Sequence, residues 1–349
     1  MTKEFNDEQR RIRTILRLLD EFPTTTNFEA SIGLRCLDDC AVIPLNSDID
    51  LVVGSDFVRG AGFDLFKRNL LSWEDVGYYL VGANASDLAA MGATPLGVLT
   101  VVRYTSSMTD QEHAQVMRGI LRACSDFRMP LLGGDSGGYD RSVLSATAIG
   151  TCPHGAALLR SGGAAGELLF ITGEIGLAAA ASAYFAVAQL KGFRLNSQEE
   201  AILINPWRKV TPALEQGKLL VEKSLSRCAI DTSDGLRHAC NQLAEASLVD
   251  VVLIRDAIPV SDLTKRVSDS LNIDPFKLAL SESVDFRLLF SVSPANAQSL
   301  KEEFDTQGWS LHQIGFLQEP SGTPSVYFKT PTGLEMVPDS GWKPEYADI

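Results

Sequence analysis

Four short apolar runs in this chain meet aspartates at one end, and that recurrence constrains the fold more than any other feature. They are Leu37-Asp38-Asp39-Cys40-Ala41-Val42-Ile43-Pro44, Leu51-Val52-Val53-Gly54-Ser55-Asp56, Pro130-Leu131-Leu132-Gly133-Gly134-Asp135 and Cys228-Ala229-Ile230-Asp231. They read as strands with a carboxylate at one end, the last of them buried. The last run is the sharpest, because it continues as Thr232-Ser233-Asp234-Gly235-Leu236. That order predicts a strand, a tight turn and a helix over 236–246 capped by Ser233 or Asp234. Taken alone, the stretch fits either a plain helix cap beside a solvated strand end or an oxygen-rich site for a hard cation such as Mg²⁺.

Between these runs the pattern turns helical. Residues 6–22 carry Ile12, Ile15, Leu16 and Leu19 at helical spacing. Ser72…Asp75 and Thr109…Glu112 are capping-box patterns opening helices that run to near Met91 and Phe127. The first of these ends in Gly82-Ala83-Asn84-Ala85-Ser86-Asp87-Leu88-Ala89-Ala90-Met91-Gly92, which implies close backbone packing. Asp87 stands inside it, a carboxylate that must find a cation, donors or water. The alanine-rich segment 175–190 predicts a buried helix, short of the roughly 20 residues that a membrane span needs. A polar stretch at 196–200, a helix over 211–225 and further alternating strands and helices lead to a loosely strand-like end closing on Trp342. Strands and helices alternate in both halves without a repeat, so the expected fold is mixed α/β in two domains, 1–152 and 153–349.

Charge narrows the partners. The formal net charge is −13, from 44 acidic and 31 basic residues, which argues against nucleic acid or an anionic membrane as the main partner. It leaves a nucleotide open, since divalent cations supply the missing positive charge. Six scattered cysteines without a C-x-x-C pattern read as reduced thiols of a cytoplasmic protein, and the amino terminus lacks the apolar core of a signal peptide. No phosphate loop, protein-kinase signature or H-E-x-x-H occurs. His238 reads as structural, and Arg160 fits either a phosphate clamp or a solvated surface arginine. Seven acids stand in apolar or small-residue surroundings: Asp38, Asp39, Asp56, Asp87, Asp135, Asp231 and Asp234. If they converge, only multivalent cations balance them, and Mg²⁺ bridging carboxylates to a polyphosphate makes phosphoryl transfer the leading chemistry.

Together these motifs resemble the thiamine-monophosphate kinase family, within the superfamily of aminoimidazole ribonucleotide synthetase and selenophosphate synthetase. The matches run nearly the whole chain: Asp38-Asp39-Cys40-Ala41, Ser55-Asp56, the stretch from Asn84 to Ala93, Gly133-Gly134-Asp135, Arg160-Ser161-Gly162, Ile171-Thr172-Gly173 and Ile230 to Leu236. The resemblance implies an α+β fold of the aminoimidazole ribonucleotide synthetase type and a homodimer pairing through its amino-terminal sheets. ATP as co-substrate and several Mg²⁺ ions would lie in a cleft between the domains. It implies Mg²⁺ ligands at Asp39, Ser55, Asp56, Asp87, Asp135, Asp231 and Asp234, with Asp39, Asp87, Asp135 and Asp231 at the centre of catalysis. Gly134, Arg160 and Ser233 would contact the nucleotide. Transfer would be direct and in line, with no covalent nucleophile.

The acceptor half departs from the family. A histidine expected before Phe63 is Gly62, and Ser281-Glu282-Ser283-Val284-Asp285-Phe286-Arg287-Leu288 places Val284 where the family has a substrate-contacting glutamate. Leu37 replaces a glycine, Ser136-Gly137-Gly138-Tyr139 replaces threonines and an arginine, and Trp342 matches the family's carboxy-terminal aromatic. Gly62, Val284 and Trp342 are therefore the candidate acceptor positions. The reading that follows is an ATP- and Mg²⁺-dependent phosphotransferase with an altered small-molecule acceptor. The alternatives are thiamine-monophosphate kinase itself and a non-catalytic nucleotide-binding homologue.

Overall fold

The computed structural model describes residues 7–21 and 30–338. The amino-terminal half comprises α1 (Asp7–Glu21), β1 (Ala41–Pro44), β2 (Ile49–Val58), α2 (Asp64–Lys67), α3 (Trp73–Ala90), β3 (Thr94–Tyr104), α4 (Asp110–Asp126), β4 (Leu131–Gly138) and β5 (Val143–Pro153). Its five strands pair in the order β1-β2-β5-β3-β4. All neighbours are antiparallel except β3 and β4, which α4 connects, as a parallel pair requires a crossover. Side chains alternate across the sheet. Val52, Val58, Leu144, Ala146 and Val102 are buried on the face covered by α3 and α4, whereas Phe57, Leu99 and Val101 lie exposed on the other.

Both capping boxes form: the Ser72 and Thr109 hydroxyls accept the N–H groups of Asp75 and Glu112, whose carboxylates accept in return. Beyond its first turn α3 is buried almost throughout. Its small residues let other elements come close. A Cβ on Gly82, for example, would stand 2.6 Å from that of Val210 in the second half.

The carboxy-terminal half comprises β6 (Leu168–Ile171), α5 (Leu177–Ala183), α6 (Ser197–Arg208), α7 (Leu214–Glu222), β7 (Cys228–Asp231), α8 (Leu236–Ser247), β8 (Asp250–Leu253), α9 (Asp262–Leu271), α10 (Pro275–Ala279), β9 (Leu288–Val292), α11 (Ala297–Gln307), β10 (His312–Gln318), β11 (Val326–Thr330) and β12 (Gly333–Met336). Seven strands pair in the order β12-β11-β8-β10-β6-β9-β7, antiparallel except for β11 against β8. The fold is mixed α/β with two sheets, as the alternation of motifs predicts.

Three local expectations change. The alanine-rich helix is shorter than 175–190: α5 widens at Ala183 into a π-helical turn, Tyr184–Ala188. There the Tyr184 hydroxyl donates to Glu200 at 2.6 Å and accepts the Leu195 N–H at 3.1 Å. The polar stretch at 196–200 opens a helix, α6, through an Asn196/Glu199 capping box, and Pro206 sits inside it. Finally, neither Ser233 nor Asp234 caps α8. Gly235 occupies the cap position at φ 91° with no side-chain bond, because Ser233 is engaged by Asp231 instead. A Cβ on Gly235 would lie 2.1 Å from the Ser281 carbonyl oxygen, so this turn requires glycine.

Candidate active site

Asp39, before β1, and Asp87, on α3, meet Asp231, at the end of β7, with one carboxylate oxygen from each lying within 4.8 Å of the others. The first two belong to one sheet's half of the chain and the third to the other. Each carboxyl is pushed up by burial, and Asp87 well above the carboxylate range, because Asp231, Asp39 and Asp56 add their charges to it. Asp39 is raised to about 7, chiefly by burial, against the lowering effect of Arg160.

Arg160 is turned into this cluster. Its Nη2 donates to Asp39 Oδ1 at 2.5 Å and its Nη1 to the Leu37 carbonyl at 2.8 Å and to Gln242 Oε1. The pair is buried, with side chains 18% and 2% exposed. Yet Asp39 Oδ2 and Arg160 Nε are buried without a hydrogen-bond partner, so the guanidinium only partly satisfies the acid. An orphaned oxygen among three clustered carboxylates fits a hard, oxygen-seeking cation. Asp38 serves the same junction differently, its carboxylate accepting the backbone N–H groups of Arg160 and Asp39.

The other expected metal residues are placed less centrally. Asp56 is near enough to raise Asp87, and its backbone N–H is held by Asn84 Oδ1 at 3.1 Å. Ser55, one residue earlier, points to the opposite sheet face, where its hydroxyl donates to the Ala146 carbonyl at 2.9 Å. Asp234 is largely exposed, with one oxygen 3.9 Å from His238 Nε2. Asp135 stands apart: it is exposed on β4 and paired with Arg103. The register β2-β5-β3-β4 sets it three strands from Asp56, roughly 14 Å at ordinary strand spacing.

Among the expected nucleotide contacts, Ser233 donates its hydroxyl to Asp231 Oδ1 at 2.7 Å. Gly134 has a packing reason of its own, since a Cβ there would lie 1.9 Å from the Thr100 carbonyl oxygen. Of the acceptor positions, Gly62 is exposed after a single 3-10 turn, Val284 is half-buried against the amino-terminal core, and Trp342 lies outside the described residues.

Beside the acids lies an aromatic layer that the sequence reading did not single out. Tyr79 packs edge-on against Phe63 at 5.2 Å and Phe286 at 5.4 Å, and Phe63 meets Trp207 at 5.4 Å. The Tyr79 phenol is pushed above its ordinary range by burial and then by Asp56, Asp234 and Asp231, so this layer faces the acids. Phe286 holds φ 49°, an outlier for a bulky residue, while the neighbouring Asp285 carboxylate caps α5 through the Gly176 and Ala178 N–H groups. A cleft of about 360 Å³ opens between α6 and residues 285–287, lined among others by Ile202, Asn205, Lys209 and Arg287 and by none of the three clustered acids.

Residues 37–152 match the family model described as AIR synthase related protein, N-terminal domain. The chain is 32% identical over 317 residues to the thiamine-monophosphate kinase of Bacillus subtilis, covering 90% of this chain and 94% of that protein. The chain belongs to the thiamine-monophosphate kinase family. It is, with that family, an ATP-dependent kinase. Its fold is that of AaThiL complexed with AMPPCP and TMP, at TM-score 0.77 and 21% identity over 96% of each chain. It is also that of the thiamine-monophosphate kinase from Stenotrophomonas maltophilia K279a, at TM-score 0.71 and 24% identity over 91% of this chain and 94% of that one. Among the described residues no helix is long and apolar enough to cross a membrane.

Proposed function

We propose that this chain transfers the γ-phosphate of ATP to thiamine monophosphate, giving thiamine diphosphate. The observation that carries the reading is the convergence of Asp39, Asp87 and Asp231, with a buried orphan oxygen, in a family member matched over most of its length. Asp39, Asp87 and Asp231 would hold Mg²⁺, with Asp56 adjacent. Bound there, the cation would offset the charge of the polyphosphate and of the acids, as phosphoryl transfer requires. Arg160, the guanidinium beside Asp39, would turn to a phosphate, a role that its planar fork of donors suits. No covalent intermediate is needed, and the buried thiols do not offer one: burial pushes Cys124 and Cys152 up to about 11 and Cys228 to about 12.

The acceptor is the finer part of the proposal. Thiamine carries a cationic thiazolium ring, and half-buried Phe63 and Trp207 beside Asp56 and Asp234 supply the π-faces and negative charge that favour such a cation. The losses at Gly62 and Val284 motivate the expectation of a different acceptor. Val284, however, packs against apolar neighbours, where no charge is called for. The family match favours thiamine monophosphate. A second copy of this chain is the proposed partner, covering the exposed apolar face that carries Phe57, Leu99, Val101 and Leu132. With six free cysteines, five of them buried, a reducing cytoplasm is the proposed compartment.

The test is turnover. Purified protein is incubated with Mg·ATP, with and without thiamine monophosphate, and the products are identified by mass spectrometry. Thiamine diphosphate formed with one ADP per product supports the reading. Nucleotide binding without thiamine diphosphate would mean that the acceptor has changed, and light scattering in the same samples tests the dimer.

A further inference from the structure

We infer that Ser86 is a positioning residue for the metal site, fixing Asp231 across the boundary between the two halves of the chain. The inference rests on the proposal that the three clustered acids hold a divalent cation.

Each of the three acids must stay beside two like-charged groups, but Asp231 differs from Asp39 and Asp87 in arriving from the second sheet. Asp39 is held by a guanidinium, which fixes it but also offsets its charge. Asp231 is held by neutral donors. Its Oδ1 accepts the Ser233 hydroxyl at 2.7 Å and the Ser233 N–H at 3.2 Å, both from its own turn. Its Oδ2 accepts the Ser86 hydroxyl at 2.6 Å, and among the described residues this bond comes from the other half of the chain. A hydroxyl orients a carboxylate while leaving its full charge for a cation, which an arginine or lysine would not.

The helix is built for this reach. Ser86 is 1% exposed on α3, next to Asp87. A serine inside a helix often bonds back to the carbonyl four residues earlier. Here the hydroxyl turns outward to Asp231, and the run of small residues lets β7 approach closely enough to receive it. Two residues before it, Asn84 does the comparable task for Asp56, accepting that residue's N–H at 3.1 Å while anchored to the Leu80 carbonyl at 2.9 Å. One turn of α3 thus supplies Asp87 and sets the positions of two further acids.

Removing an outer partner that orients a metal ligand typically lowers metal affinity by about 10- to 100-fold. The experiment is Mn²⁺ binding to the full chain without nucleotide, followed by electron paramagnetic resonance, for wild type and Ser86→Ala. Thermal melting of both metal-free proteins is measured alongside. Alanine suits a helix better than serine, which partly offsets the loss of a buried donor to Asp231, so metal-free Ser86→Ala is expected to stay cooperatively folded and melt within several degrees of wild type. It is expected to bind Mn²⁺ at least tenfold more weakly, while saturating metal brings kcat back to within a few-fold. Unchanged Mn²⁺ affinity in a folded variant would overturn the positioning role. Collapse of the metal-free melting transition would also overturn it, making the serine a structural clamp. Absence of Mn²⁺ binding in wild type would instead remove the metal reading beneath it.

Discussion

Arg160 lies against one of the acids that the proposed metal site would use, and replacing it tests that arrangement by the sign of the effect. In Arg160→Gln the guanidinium that lies 2.5 Å from Asp39 is gone, along with a positive charge that a divalent ion must otherwise displace or approach. At a separation of ~6 Å, one unit charge against a doubly charged ion is worth about 1.4 kcal/mol at an effective dielectric constant of 80 and about 2.8 kcal/mol at 40. Bare Mn²⁺ is therefore expected to bind the variant roughly 10- to 100-fold more tightly. A proton competes for the same acid: Asp39 already sits at about 7 with Arg160 lowering it, and loses that help in the variant. The gain is accordingly expected to emerge at pH 8.5 and shrink toward pH 7. Mg·ATP should respond in the opposite direction, since the phosphate contact proposed for Arg160 would be lost. Calorimetric titration of Mn²⁺ alone and of the nucleotide in saturating Mg²⁺ reads both signs. Bare metal binding more weakly to Arg160→Gln across pH 7.5 to 9 would refute this reasoning and make Arg160 part of the metal's support.

The remaining predictions concern pH, fold and acceptor. Asp39 is held near 7 against an ordinary 3.8, so the folded chain keeps a proton there that the unfolded chain releases. Metal-free stability is thus expected to fall as pH rises from about 4 to about 7, by a few kcal/mol, with Mg²⁺ restoring it; urea titrations across that window check the slope. Gly235→Ala puts a Cβ 2.1 Å from the Ser281 carbonyl oxygen at φ 91°, and is expected to cost about 3 kcal/mol or more and lower Tm by several degrees. A Cβ at Gly62 meets only Arg59 Cβ among the described residues, at 3.5 Å, so the first side-chain carbon of Gly62→His has room. Through a regained charged hydrogen bond it is expected to lower KM for thiamine monophosphate about tenfold, and an unchanged KM would place the acceptor elsewhere.

Much of this molecule is written in local pattern. Apolar runs meeting aspartates located β1, β2, β4 and β7, although β2 runs on past Asp56 to Val58 and β4 runs on past Asp135 to Gly138 and lies largely exposed. Two reciprocal Ser/Thr–acid spacings located the starts of α3 and α4, because helix capping is decided by a few neighbouring residues. Asp39, Asp87 and Asp231 stood out for the same reason: each is a carboxylate with no local cation. What sequence could not convey is which acids a sheet carries apart. Asp135 resembles the others in its glycine-flanked setting, yet the strand order moves it away, and Ser55 is turned aside by the alternation of a single residue. Ser86 and Tyr79 left no mark because a serine and a tyrosine inside an apolar helix look like filling until their distant partners are placed. Ser233 does not cap α8 because its preferred partner, the Asp231 carboxylate, lies two residues back and competes with the helix end.

Division of the three acids between the two sheets has a consequence for the order in which the chain is made. When Asp39 and Asp87 have left the ribosome, their third companion is still unsynthesised, and so is Arg160, the guanidinium that pairs with Asp39 in the folded chain. Only after β7 has been added and docked on α3 does the full cluster exist. A stalled or truncated chain therefore cannot assemble the site on its own. On the proposed metal reading, divalent-cation affinity would double as a report that synthesis and the joining of the two halves are complete.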